Sequence, residues 1–105
     1  MMAKEPKPLI RLSYSLTHGN IWLAALSCMR RRKKVYAYAL PSEISKSFGY
    51  SPSKLMAYFV LYKLEDEKLI SSKFEARRKY YELTPKGASA LSSAKKKLAL
   101  LSRKL

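Results

Sequence analysis

With 105 residues, the chain has room for one domain and one modest core. Its hydrophobic share of 48% is that of an ordinary globular protein and excludes wholesale disorder. Its charge is not ordinary: 22 Lys and Arg against 7 Asp and Glu leave a formal +15, a self-repulsion that a polyanion or an anionic surface relieves.

No apolar run reaches the roughly 18 residues of a spanning helix, and the N-terminus lacks a signal-peptide pattern. A cytoplasmic protein with no membrane partner is expected, with nucleic acid as the first candidate partner. Cys28 is alone, which excludes an internal disulfide or a cysteine-rich zinc site. It reads as a small buried apolar residue, with an intermolecular disulfide as the alternative. There is no Gln and a single Asn, a shortage of thermolabile amides that high-temperature proteomes tend to show.

Residues 10–17 alternate apolar and polar as a half-buried strand would, yet Leu9, Leu12 and Leu16 also fall at helical spacing, so residues 9–17 admit both forms. Strand and helix both stay open for this N-terminal arm, residues 1–18. Asn20 can cap a helix over 21–32, whose one face carries Trp22, Leu23, Leu26 and Met29. The run Val35–Leu40 reads as a short aromatic strand. Ser42–Phe48 reads as a short helix opened by Pro41 and closed by Gly49. Ser51 as N-cap and Pro52 at the first position start a longer helix reaching about Lys68. Its stretch Leu55–Tyr62 is apolar nearly all round, so it must be covered on more than one side. Two strand-like runs follow, Ser71–Glu75 and Lys79–Thr84, joined by a basic turn at Ala76-Arg77-Arg78. Pro85 opens a last helix.

That order predicts an α+β, mainly helical fold: a winged helix-turn-helix over 19–84 and a C-terminal dimerisation helix over 85–105. The chain also carries the pattern Tyr58-x-x-Leu61-x-x-Leu64-Glu65-x-x-x-Leu69-Ile70. Further on it reads Arg78-x-Tyr80-Tyr81-x-Leu83-Thr84-x-x-Gly87. These residues resemble the PadR-like winged-helix transcriptional regulators and, more loosely, small basic winged-helix DNA-binding proteins of archaea. The resemblance covers about residues 20–90. It implies a helix in the major groove, a wing on the DNA backbone and a C-terminal helix that dimerises. Lys68 stands where the family has a glycine, so a different cap at the helix end is expected. The extended C-terminal region with which many members sense ligands is absent, so no small-molecule effector is expected.

Charge is uneven along the chain. Eight basic residues face Glu5 alone in 1–34, four face four acids in 35–70, and ten face two in 71–105. DNA contacts are accordingly expected first from the wing residues Lys73, Arg77, Arg78 and Lys79. Ser53, Lys54 and Tyr58 lie at the start of the recognition helix, and Lys46 on the helix before it. The run Arg30, Arg31, Arg32, Lys33 and Lys34 either lies along phosphate or is solvated. No Arg, Asn or Gln lies between Pro52 and Lys68, so base-specific hydrogen bonds are scarce.

Leu91, Ala94, Leu98, Leu101 and Leu105 are spaced 3, 4, 3 and 4, a heptad seam that continues back to Gly87 and suits a homodimer. His18 is the only histidine, Glu65, Asp66 and Glu67 diverge on a helix, and the glycines are isolated. Neither a cofactor, a metal nor an active site is expected. A nucleoid-associated regulator or chromosome factor bound to double-stranded DNA follows, with an RNA-associated or ribosome-bound module as the alternative.

Overall fold

A computed structural model gives the structure of the chain and describes residues 4–105; the first three residues of the expected arm lie outside them. Five helices and a three-stranded sheet are built in the order α1 (Lys7–Leu16), α2 (Ile21–Arg31), β1 (Val35–Tyr36), α3 (Leu40–Phe48), α4 (Lys54–Asp66), β2 (Ile70–Glu75), β3 (Arg78–Leu83) and α5 (Pro85–Lys104). The sheet is antiparallel with order β1-β3-β2, which is a hairpin with a short third strand on its outer edge. This is a winged helix-turn-helix.

The arm is helical. Pro6 and Pro8 occupy its start, where a missing N–H costs nothing, and its leucine spacing outweighs the two-residue alternation. The helix buries no residue of its own. Asn20 does not cap α2 through its side chain. Its amide donates back to the Ser15 carbonyl and its oxygen accepts from Trp22 Nε1 at 3.0 Å, tying α1 to α2 instead. The aromatic strand is shorter than its composition predicts. Only Val35 and Tyr36 pair with Tyr81 and Tyr80, and Ala37–Ala39 coil into a 3-10 turn that leads into α3.

Gly49 closes α3 with φ 77, a left-handed conformation that glycine adopts without a steric penalty. The next helix starts later than Ser51. Ser53 is the cap, its Oγ accepting from the Met56 N–H at 3.1 Å, and Pro52 is buried in the turn before it. It also ends earlier than expected, at Asp66. The end is a Schellman motif: the Lys68 N–H donates to the Glu65 carbonyl and the Leu69 N–H to the Leu64 carbonyl. The cap is therefore not a different one, as the lysine had suggested: Lys68 takes φ 63 and holds the left-handed position that glycine usually fills.

The core is one cluster where α2, α3, α4 and the sheet meet. Leu26, Val35, Leu40, Ile44, Leu61 and Ile70 are its fully buried large side chains. Each removes apolar surface worth about 1.5–3 kcal/mol from water. Tyr80 and Tyr81 split as neighbours on a strand must: Tyr81 is core and Tyr80 lies half-buried on the other face.

Thr84 joins three elements. Its N–H donates to the Leu69 carbonyl, its hydroxyl donates to the Lys68 carbonyl at 2.8 Å, and its Oγ1 accepts from the Gly87 N–H at 3.0 Å. The cap of α5 is thus fastened to the end of α4. No helix among the described residues is long and apolar enough to cross a membrane.

Candidate nucleic-acid interface

The second helix of the helix-turn-helix, α4, turns Ala57, Leu61 and Leu64 to the core. Diametrically opposite lies a stripe of Leu55, Phe59 and Tyr62, exposed by 79%, 52% and 67%. Tyr58 and Met56 flank it, also exposed. Lys54, the first helical residue, lies 5.9 Å from the centre of the Tyr58 ring, and Lys63 lies 5.5 Å from that of Phe59. The apolar circumference seen in the sequence is therefore covered on one side only. Sequence reasoning singled out Ser53, Lys54 and Tyr58 here and passed over Leu55, Phe59 and Tyr62, although their spacing was visible.

The wing turns at Ala76 and Arg77, whose φ values of 49 and 69 place two L-residues in the left-handed region. Two-residue hairpins with both φ positive normally use Asn-Gly, because a Cβ is penalised there by roughly 1–2 kcal/mol per residue. Strain of this kind persists where the fold over-determines it, and it holds a guanidinium at the hairpin tip.

The four wing cations are not equivalent. Lys73 Nζ lies 2.7 Å from Glu82, and this hydrogen-bonded carboxylate holds the ammonium above its ordinary pKa. Lys79 sits 4.0 Å from Glu65 and 5.4 Å from the centre of the Tyr81 ring. Arg77 and Arg78 are exposed, and among the described residues neither has an ion-pair partner.

The basic run after α2 is divided rather than continuous. Arg32 pairs with Glu43 of α3 at 2.9 Å, and Lys34 pairs with Glu75, the last residue of β2 before the wing's turn, where Tyr36 also donates to that carboxylate. The bond with Lys34 pulls the Glu75 carboxyl below its usual range. Arg30 and Arg31 instead border a cleft between α1, α2 and α5, and Arg31 lies over the Phe48 ring. Arg30 and Arg31 thus share one cleft, while Arg32 and Lys34 are each held by a carboxylate. Lys46 is exposed on α3.

The seam on α5 divides as well. Gly87 and Leu91 are buried in the chain's own core, and Ala94 is half-buried. Leu98, Leu101 and Leu105 are exposed by 44%, 56% and 96%. They belong with the exposed Leu9, Leu12 and Leu16 of α1 as apolar side chains that the chain itself leaves uncovered. Between them runs a cleft of about 610 Å3 lined by Leu16, Leu23, Leu91 and Leu98.

His18 lies against Tyr14 and Tyr50, with ring centres 5.8 and 4.9 Å away. Among the described residues, no three His, Cys, Asp or Glu side chains converge as metal ligands would. Cys28 is buried at 3% exposure, and that burial raises its thiol pKa.

Residues 25–93 match the family described as transcriptional regulator PadR-like. No curated protein sequence matches the chain. Among solved structures, a PadR family transcriptional regulator from Eggerthella lenta superposes with a TM-score of 0.78 at 23% identity, covering 91% of this chain and 87% of its own. A PadR-like transcriptional regulator from Bacillus cereus gives 0.72 at 27% identity, with 83% and 88% covered. F93 from STIV, described as a winged-helix DNA-binding protein, gives 0.69 at 22% identity, with 78% and 89% covered.

Proposed function

The chain belongs to the PadR-like family of transcriptional regulators, and from that premise we propose that it binds double-stranded DNA as a homodimer, chiefly through phosphate contacts. Members of this family are regulators rather than enzymes. The observation that carries the proposal is the pair of exposed guanidiniums, Arg77 and Arg78, which form no ion pair among the described residues, at the tip of a wing beside a helix-turn-helix. Cations already paired with a carboxylate have less to gain from a phosphate than exposed cations outside any ion pair. Lys54, at the start of α4, and Lys46 add two more mobile charges per protomer.

Homodimerisation accounts for what α1 and α5 leave open. Leu98, Leu101 and Leu105 continue a heptad seam past the point where it enters the core, and α1 presents a row of exposed leucines beside it. A twofold partner covers both, and it covers the cleft in preference to a small-molecule effector. Twofold symmetry also suits paired half-sites on a duplex. Regulator and chromosome-associated factor share this chemistry, and both are cytoplasmic roles.

A competition between duplex DNA and folded RNA for the same labelled duplex tests the proposal. Duplex DNA is expected to displace the probe at lower concentration. Displacement by RNA at markedly lower concentration would replace the proposal with the RNA-associated reading.

A further inference from the structure

The outer stripe of α4 is the wrong chemistry for hydrogen-bonded base reading, and it is too apolar to be idle. Leu55, Phe59 and Tyr62 project from the side of the helix opposite the core, flanked by Tyr58, and all four are exposed. We infer that this stripe reads thymine, by burying the C5-methyl groups that A·T pairs place in the major groove.

The inference rests on the duplex-binding proposal above and gives its recognition helix a ligand chemistry. Each base pair shows the major groove a distinct edge, and thymine alone adds a methyl group. Against Leu55 and Phe59 that methyl loses water and gains contact. The polar edge groups of either base pair lose water there with no donor or acceptor in return, and only the A·T pair offsets that cost by burying a methyl. The hydroxyls of Tyr58 and Tyr62 are the polar groups of the stripe and can bond at its rim.

The charges fit a groove and not an apolar partner. Lys54 lies over Tyr58 and Lys63 over Phe59, so cations border the stripe where phosphates border a groove. Lys54 and Ser53 lie at the N-terminal end, the end of a recognition helix that meets base edges. Asp66, exposed one turn beyond Tyr62 on the same stripe, would be repelled by phosphate. The reading surface therefore ends at Tyr62.

The test uses the full-length protein and two pairs of duplexes of about 30 base pairs, long enough for two half-sites one helical turn apart. One pair has alternating A·T steps, made with thymidine or with deoxyuridine. The other has alternating G·C steps, made with cytosine or with 5-methylcytosine, which restores a methyl at the same ring position without changing the base pair. Loss of one buried methyl weakens binding about fourfold. Deoxyuridine is therefore expected to weaken binding threefold or more, and 5-methylcytosine to strengthen it. The Phe59→Ser and Tyr62→Ser exchanges are expected to erase both preferences. Arg77→Ala with Arg78→Ala weakens both members of each pair equally and keeps their ratio.

Methyl effects below threefold overturn the inference. If affinity then still falls steeply with salt, duplex binding itself stands. Failure of any duplex to bind overturns both. If Phe59→Ser and Tyr62→Ser change the oligomeric state and leave the methyl preference intact, the stripe is a protein interface and the inference is wrong.

Discussion

Gly87 lies so close to the backbone of Leu69 that a Cβ at position 87 would overlap the Leu69 carbonyl oxygen. It would also come within 2.7 Å of a Leu83 methyl. Backbone cannot yield as a flexible side chain can. Gly87→Ala must push α5 off the sheet or leave it strained, and overpacking of this kind costs about 1–3 kcal/mol or more. A fall in Tm of roughly 5–20 °C by circular dichroism is expected. An unchanged Tm would mean that α5 does not dock as described.

Lys68 gives the opposite sign. It holds φ 63 at the position after the α4 cap, where a Cβ is penalised and glycine is not. Lys68→Gly should stabilise the fold by about 0.5–1 kcal/mol, less than the full left-handed penalty because glycine loses more freedom on folding. Chemical denaturation checks this: the midpoint should rise while the m-value stays constant.

These two positions show how the motif Tyr-Tyr-x-Leu-Thr-x-x-Gly is legible in physical terms. Tyr81 supplies core, Leu83 packs against it, Thr84 caps α5 while holding the Lys68 carbonyl, and Gly87 permits the close approach. Each role follows from local chemistry, so sequence and structure agree there. The element order was legible for the same reason. The boundary of α4 was not, because Ser51 and Ser53 are equally good caps and tertiary burial of Pro52 chooses between them. Nor was the division of the basic residues, since Lys73 meets Glu82, Lys34 meets Glu75 and Arg32 meets Glu43 only through the fold. Arg30–Lys34 is continuous in sequence but divided between a cleft and two carboxylates. The leucine seam likewise hid that Leu91 is already buried within the chain.

That division of α5 makes Leu91 and Leu98 separable. Leu91→Ala should destabilise the fold by about 2–4 kcal/mol, as a buried leucine does. Leu98→Glu with Leu101→Glu, at exposed positions, should leave the far-ultraviolet spectrum intact and halve the mass measured by light scattering. Persistence of the dimer would remove α5 from the interface.

Burial governs Cys28. Desolvation holds its thiol above the ordinary pKa, so the neutral form is favoured and its contribution to stability is complete below the usual thiol range. That contribution is lost as pH rises from the unfolded thiol's pKa through the raised native one. An aromatic disulfide reagent should label native protein slowly and unfolded protein at once. Rapid native labelling would show that the thiol is accessible and reopen the intermolecular disulfide.

The wing makes a prediction of its own. Arg77→Ala with Arg78→Ala should weaken binding to every duplex alike and reduce the slope of log affinity against log salt by about 1–2 units per protomer. A loss confined to particular sequences would contradict a backbone role for these guanidiniums.

Phosphate-led duplex binding by a dimer is the central claim, and the most direct measurement of it is duplex affinity across a range of salt concentrations. With Lys46, Lys54, Arg77 and Arg78 engaged on both protomers, the logarithmic slope is expected at about −7. A slope shallower than about −2, or no measurable duplex binding at low salt, would contradict it.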